Sequence, residues 1–517
     1  MRPTDLQTAI DLFESTTLLC SIYNLDFEPG REQRDLIAHT LRQIAAGERL
    51  CLFPGAAGTG KTTTLKLLLQ VLTDCRNTVT NAAPTHKAAG RFQEALGADF
   101  ADKKVVTAHS IVYAGAEEIR EEEVELDEDG NEVVKVAEFG DELAFNRREP
   151  GTAKVGNILV IDEASMVGKE FAADIWNALP ETTKIIAVGD PHQLPPVKEE
   201  AGFPLHEATV TLSKVYRQAE ASPVLNAATN IRNRKVPFTY SRVADFKAGQ
   251  AILDRAGVRS PWMDSGQAGE TLANMFRANN GDAAAIVGTH ATRTELNDAT
   301  RYFLGMPRRN EGPQVGERLI CRAKGGGLNN SDVVTVKSVE HADFGPNFGD
   351  GWVLRVANGR EREVAVLRAT WDGNCQPKHR GLVPYSIQKN MEEFIAEDIA
   401  KHGEKIYAKV AEKQDAWKAR KDEEAANWLV AIWTAQEARK HGAHALYLKH
   451  YLASLDSGYA ITCHAAQGSQ YAEIIVVADM VDFIAENEAD QVYRWSYTAL
   501  TRAVKSAIVV RKARNGW

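Results

Sequence analysis

The eight residues Gly55-Ala-Ala-Gly-Thr-Gly-Lys61-Thr62 constrain the fold of this chain more than any other stretch. Glycines at 55, 58 and 60 let the backbone turn its N–H groups inward, Lys61 stands where an ammonium reaches the β- and γ-phosphates of a nucleoside triphosphate, and Thr62 offers a hydroxyl to Mg²⁺. The flanks agree with that reading. Leu50-Cys-Leu-Phe53 reads as a short buried strand, and Thr63 to Leu72 reads as a helix whose positive end faces the loop. Strand, loop and helix in this order predict an α/β domain with Gly55, Gly58, Thr59, Gly60, Lys61, Thr62 and Thr63 around bound ATP and Mg²⁺.

The alternation continues. Apolar runs at Thr78–Ala83, Asn157–Ile161 and Lys184–Val188 alternate with helical or loop segments up to about Arg217, the pattern of a parallel sheet. A second set lies at Ala283–Val287, Tyr459–Thr462, Glu473–Ala478 and Ala507–Arg511, and about 150 residues interrupt it. A structureless connection of that length is improbable, so the spacing predicts a second α/β domain split by an insertion. The insertion has two characters. Strand-like runs at Gly316–Arg322, Asp332–Glu340, Trp352–Val356 and Glu363–Leu367 read as a small β-barrel or meander, whereas Gln388 to Leu455 is rich in Ala, Glu and Lys and reads as helices. Trp417, Trp428 and Trp433 there are read as packing residues, and His441, His444 and His450 lack companions at a metal spacing. Between Tyr113 and Pro150, charged and apolar residues alternate on either side of Asp129-Gly130, a strong hairpin signal.

Charge enters where a polynucleotide partner is considered. The net charge of −9 argues against a global basic field, yet thirteen Asp and Glu lie between Glu117 and Glu142, so the rest of the chain is near neutral and can carry a local basic groove. No apolar run approaches the ~18 residues that span a bilayer, and the N-terminus lacks a signal architecture, which predicts a cytoplasmic protein. Six scattered cysteines without a C-x-x-C pair read as reduced thiols.

Val160-Ile-Asp-Glu-Ala-Ser-Met166 ends the third strand with adjacent carboxylates. Asp162 is placed to hold Mg²⁺ and Glu163 to orient an attacking water, so the pair predicts hydrolysis and not transfer to a metabolite. Gly189-Asp-Pro-His-Gln-Leu-Pro-Pro-Val197 follows the fourth strand and resembles motif III of superfamily 1 helicases, in which Gln193 would touch the γ-phosphate. Other motifs of that family then stand in order. Glu32-Gln33 resembles the adenine-reading glutamine motif, Ala83-Pro-Thr-His-Lys-Ala-Ala89 resembles motif Ia, and Thr107-Ala-His-Ser110 resembles the next strand-contacting segment. Leu212-Ser-Lys-Val-Tyr-Arg-Gln218 resembles the segment that supplies an adenine-stacking Tyr216 and a γ-phosphate Arg217; Thr462–Ser469 resembles motif V, with Gly468 near the nucleotide, and Tyr497–Ala503 resembles motif VI, with Arg502 as second arginine finger.

The form of motif Ia, the short motif III and the barrel before motif V are most similar to the RecD and Dda branch of 5′ to 3′ DNA helicases. That resemblance implies two RecA-like parallel-sheet domains. The first would span 1–217 with the hairpin inserted at 113–150, and the second 218–310 with 456–517, carrying an SH3-like barrel at 311–385 and a helical insertion at 386–455. It also implies a single DNA strand held near Thr85, His86, Lys87, His109, Ser110, His464 and Gln467. Expected partners are single-stranded DNA and single/double-strand junctions, with single-strand-binding, replication or recombination proteins beyond them. The chain is expected to act as a monomer in a bacterial or phage-infected cell. Two rivals share the same motifs: an ATP-gated clamp that switches without unwinding, and a RecD-like subunit of a larger complex. Two departures from the branch stand out. Ala465 follows His464 where lysine is usual, and the hairpin tip, Asp127-Glu-Asp-Gly-Asn131, lacks the usual aromatic ring.

Overall fold

A computed structural model describes residues 2–512 apart from 16–18, 24, 26–27, 98–99, 101–103, 114–123, 127–131, 135–146, 197–198, 216–221, 236–252, 324, 329–330, 359, 372–390, 419–425 and 480–488. The chain forms two compact units, Met1–Pro261 with Ala466–Arg511, and Trp262–Ala465 with Lys512–Trp517.

In the first unit, five parallel strands lie in the order Leu50–Pro54, Lys184–Gly189, Ile158–Ile161, Val79–Ala83, Val106–Thr107. One strand therefore separates the phosphate-loop strand from the strand that ends at Asp162. This is the RecA-like arrangement expected. The strands are apolar throughout because helices cover both faces. Val160, Ile186 and Val188 point into one core with Leu65, Leu68 and Leu72, while Leu159, Ile161, Ile185 and Ala187 point into the other with Ile175. Along the helix Lys61–Asp74, leucines 65, 68, 69 and 72 follow the i, i+3, i+4, i+7 stripe and are all buried, each contributing about 1.5–3 kcal/mol. That burial anchors the helix, and so its first residue, Lys61, against the sheet.

The register sets the chemistry at one edge. Pro54 pairs with Gly189 and Ile161 with Ala187, so Gly55, Asp162 and Asp190 all emerge at the carboxyl ends of neighbouring strands, where ligands of open α/β sheets bind. Leu212 continues beyond the phosphate-loop strand: its N–H donates to the Pro54 carbonyl at 3.1 Å and its carbonyl accepts from Ala56 N–H at 3.2 Å. The same unit holds the parallel pair Tyr471–Val477 and Ala503–Lys512, and packs the helix Ala489–Leu500 on the helix Pro223–Arg232. The hairpin reading is met by antiparallel strands Val124–Leu126 and Glu132–Val134; the expected tip, residues 127–131, lies outside the described residues.

In the second unit, Ala283–Val287 pairs in parallel with Ala460–Thr462. Asn297 on the helix His290–Phe303 ties the entry of that pair. Its amide donates to Ser457 and Ala460 carbonyls at 2.9 and 3.2 Å and accepts from Tyr459 and Ala460 N–H at 3.1 and 2.7 Å, which fully satisfies a side chain with no solvent exposure. The expected barrel is an antiparallel sheet in the order Glu361–Leu367, Asp350–Ala357, Val333–Asp343, Arg318–Ala323, Ser454–Ser457. Its fifth strand comes from beyond the helical insertion, past the 385 boundary expected. A bridge between Ala365 and Leu452, just before that strand, draws the two sheet edges together. Helices Met391–Lys418, Ala426–His441 and His444–Tyr451 pack beside it through Ile406, Val410, Ala435 and Tyr447. The side chains of Trp417, Trp428 and Trp433 lie outside the described residues.

A buried ion network joins that fifth strand to the helix His290–Phe303. Asp456 accepts from Arg293 at 2.8 Å and Arg309 at 2.6 Å, and Arg301 pairs with Glu317. Burial pushes the Asp456 carboxyl up, but Arg309 and Arg293 outweigh it and hold the group below its ordinary value. Removing Asp456 takes the shared carboxylate from buried Arg293 and half-buried Arg309, so Asp456→Ala should cost about 3–5 kcal/mol in urea unfolding at neutral pH. Because the native pKa is depressed, this contribution is complete above the ordinary carboxyl value of 3.8 and fades as pH falls through the lower native value. The gap between wild type and variant should therefore narrow in acid.

Candidate nucleotide site and nucleic-acid interface

The phosphate loop is shaped by backbone that only glycine adopts freely. Gly58 and Gly60 have φ of 78° and 76°, and Gly60 is the left-handed cap from which the helix Lys61–Asp74 starts. Buried Thr59 donates its hydroxyl to the Ala56 carbonyl at 2.8 Å, bracing the turn, and Lys61 Nζ donates to the Gly55 carbonyl at 2.7 Å. Thr62 and Thr63 are exposed on the first helical turn.

Across the sheet edge, Asp162 and Glu163 leave the strand Ile158–Ile161. Burial, then the neighbouring Glu163 carboxylate, pushes the Asp162 pKa up, and Lys61 offsets this only in part. A bound divalent cation would reverse that balance. Glu163 holds left-handed backbone at φ 53°, ψ 36°, a conformation that costs a non-glycine residue about 1–2 kcal/mol, and its Oε2 is buried without a hydrogen-bond partner among the described residues. Thr62 hydroxyl and Asp162 carboxylate are oxygen donors, which fit a hard cation such as Mg²⁺, and the unpartnered Glu163 oxygen beside them can accept from a water.

The segment after Gly189 is held from several sides. Tyr497, 2% exposed, donates its hydroxyl to Asp190 Oδ2 at 2.6 Å and accepts from the Ala57 N–H at 2.8 Å. Burial first, and Asp190's charge second, raise the Tyr497 pKa well above normal, so it remains the proton donor. Thr498 accepts from Leu194 N–H at 2.9 Å, Gln467 donates to the Leu194 carbonyl at 3.1 Å, and Arg494 donates to the carbonyls of Pro191 and Gln193. Within this cage the side-chain Oε1 of buried Gln193 has no partner among the described residues.

Other expected residues sit as follows. Gln33 is buried, and its Oε1 accepts from Gly30 N–H at 2.9 Å as a helix cap. Arg502 is 4% exposed and donates to the Thr498 and Ser469 carbonyls and to Thr501 Oγ1. Gly468 has φ 68° and approaches the helix His86–Leu96 so closely that a Cβ would meet Ala88 Cβ at 3.2 Å. Tyr216 and Arg217 lie outside the described residues. Thr85 caps the helix His86–Leu96, while His86, His109 and Ser110 are exposed and Lys87 is half-buried with Nζ 3.4 Å from Tyr471 Oη. His109 stacks on Phe171 with ring centroids 4.2 Å apart. Gln467 is buried in the cage described above, and exposed His464 belongs to the second unit.

Three roles escaped the sequence reading. Tyr497 and Thr498 lie inside the quoted motif VI, but which bond they make depends on folding. Glu32 accepts from Ser213 N–H, Ser213 hydroxyl and Lys214 N–H at 2.6–2.8 Å, fixing the chain just before Tyr216 and Arg217. Arg91, on the helix of motif Ia, donates to the Gly468 carbonyl and Gln470 Oε1 at 3.3 Å; burial and then Arg502's charge lower its pKa. No local pattern marks the contacts that Glu32 and Arg91 make.

A family model described as AAA domain matches residues 29–252, and one described as UvrD-like helicase C-terminal domain matches residues 457–510. The chain is 31% identical to an ATP-dependent RecD2 DNA helicase of Deinococcus radiodurans over 205 residues, 39% of this chain and 24% of that protein. It is 30% identical to the RecBCD enzyme subunit RecD of Haemophilus influenzae over 43% of this chain and 34% of that protein, and 26% identical to the ATP-dependent DNA helicase dda of phage T4 over 37% and 39%. It thus spans about a quarter to two fifths of the curated relatives it matches. Among solved structures, a Bacteroides Pif1 bound to ssDNA aligns over 94% of this chain and 92% of its own at 17% identity and a TM-score of 0.44.

Tyr497→Phe keeps the ring and removes both hydrogen bonds, leaving the Asp190 carboxylate and the Ala57 N–H without that partner. A loss of about 1.5–3 kcal/mol in stability is expected by denaturant unfolding, and an unchanged midpoint would refute the bridge.

Proposed function

We propose that this member of the superfamily 1 helicases, of the RecD and Dda branch, hydrolyses ATP and uses each cycle to move 5′ to 3′ along single-stranded DNA and to separate duplex. The observation that carries the reading is the cage around residues 190–194. Side chains from motif V (Gln467), motif VI (Tyr497, Thr498) and the helix that leads into it (Arg494) bond the segment that carries Gln193, and Tyr497 also bonds the phosphate loop. A change at the γ-phosphate therefore has a bonded route to the segments expected to grip a strand.

Lys61 and the loop N–H groups bind the triphosphate; Thr62 and Asp162 would hold Mg²⁺, which would supply neutralisation of phosphate charge. Glu163 orients the attacking water through its unpartnered oxygen and takes its proton, and Gln193 reads the γ-phosphate. Arg502 leaves its carbonyl partners to stabilise charge that develops on the transferred group, joined by Arg217. Such an arginine is worth about 10³–10⁵ in rate. Gln33 and Tyr216 read adenine, and Gly468 lies at the nucleotide end of motif V. Thr85, His86, Lys87, His109, Ser110, His464 and Gln467 hold the strand in alternating grips as the RecA-like domains open and close. The protein acts as a monomer in the cytoplasm on strand junctions, with single-strand-binding, replication or recombination proteins as further partners, and the hairpin serves as a steric wedge.

Unwinding of 5′-tailed against 3′-tailed DNA duplexes tests the polarity, and displacement only from 3′ tails would contradict it. Lys61→Ala should abolish ATPase while single-strand binding survives, and Arg502→Ala should lose about 10³-fold or more in turnover with a modest loss of ATP affinity, both read by coupled ATPase assay and nucleotide titration. Replacing residues 124–136 by a tight turn should leave DNA-stimulated ATPase intact and impair strand displacement. Full displacement by that variant rules out the wedge.

A further inference from the structure

A cavity of about 70 Å³ opens in the first unit beside the helices Pro223–Arg232 and Ala489–Leu500, and no residue of the phosphate loop and neither Asp162 nor Glu163 lines it. Three guanidiniums do: Arg232, Arg234 and Arg494. Their charges are unequally matched. Arg234 pairs with Asp490. Arg494 donates only to the neutral carbonyls of Pro191 and Gln193, and half-buried Arg232 makes no hydrogen bond or ion pair among the described residues. The other nearby carboxylate, Asp190, keeps its charge but does not line the cavity, and both its oxygens are turned to other donors: Oδ2 accepts from Tyr497 and Oδ1 from the His192 N–H. Among the described residues three guanidiniums and one carboxylate, Asp490, line the concavity, so cationic charge is in excess there, in a partly dehydrated setting where such charge is strongly felt.

We propose that this cavity is a binding subsite for a single tetrahedral oxyanion, the inorganic phosphate released by hydrolysis, held by Arg232 and Arg494. The source of the anion rests on the ATPase reading above; the oxyanion chemistry does not. One water needs about 10–15 Å³ of such space, so five heavy atoms fit and a nucleoside triphosphate does not. Guanidiniums match oxyanions in both charge and fork geometry. The position matters as much as the charge. Arg494 holds the backbone of Gln193 and Tyr497 holds Ala57, so an anion here bears on both walls of the nucleotide site without occupying it.

The test titrates sodium phosphate into the full chain by calorimetry, with and without saturating ADP, whose own affinity is measured on the same samples. Phosphate should bind in the presence of ADP, Arg232→Ala should weaken it by about tenfold or more, Arg232→Lys should retain most of it, and Lys61→Ala should leave it unchanged. Loss of binding with Lys61→Ala but not Arg232→Ala would place the anion on the phosphate loop and overturn the proposal, as would the absence of any phosphate binding. Displacement by a 15-residue oligothymidylate would reassign the site to a backbone phosphate of DNA and equally overturn it. Failure of ADP to bind would instead strike the nucleotide reading and leave the phosphate result to be judged by itself.

Discussion

The hydroxyl of Tyr497 is the bond on which the arrangement of this nucleotide site turns. A phenol can donate and accept at once, and here it donates to the buried Asp190 carboxylate while accepting from the Ala57 N–H of the phosphate loop. No aliphatic side chain could serve both. Through this one group, residues about 440 positions apart in sequence share a proton-bonded network, and the helix that leads to Arg502 is fixed against the loop that cradles phosphate. Thr498, Gln467 and Arg494 repeat the logic at the next residues, so the segment 190–194 is positioned by its distant partners as much as by the strand it leaves.

Polar satisfaction separates the frame from the site. In the second unit, Asn297 makes four hydrogen bonds with no exposure, and Asp456 is paired with two arginines. These groups hold strands and helices in register. In the first unit, Glu163 is strained into left-handed backbone with a buried free oxygen, and Gln193 keeps a buried amide oxygen unpaired. A protein tolerates such costs where the missing partner arrives with the ligand. The unpaired Arg232 in the neighbouring cavity belongs to the same class of feature, with the sign of charge reversed.

Much of the α/β frame was legible because parallel strands covered on both faces are continuous apolar runs, and each of the runs read from the first domain appears as a strand shifted by a residue or so at its ends. The phosphate loop and the Asp162-Glu163 pair were legible because their chemistry depends on residues adjacent in sequence. The fifth strand of the antiparallel sheet, Ser454–Ser457, was not. Its partner strand, Arg318–Ala323, lies across the whole helical insertion, and four residues carry too little pattern to announce a pairing at that separation. Glu32 was quoted as part of a nucleotide-reading motif, yet its carboxylate is engaged with Ser213 and Lys214, a contact that no local spacing encodes.

By itself, the order of residues determined that a glycine-rich loop with Lys61 and the adjacent carboxylates Asp162 and Glu163 stand at strand ends, since periods of two and 3.6 and a glycine's freedom are local properties. Only the tertiary structure decided which side chains close around them. That Gln467 meets the Leu194 carbonyl, and that Arg232 and Arg494 share one concavity, depend on the register in which distant elements pack, and that is set by burial summed over the whole core.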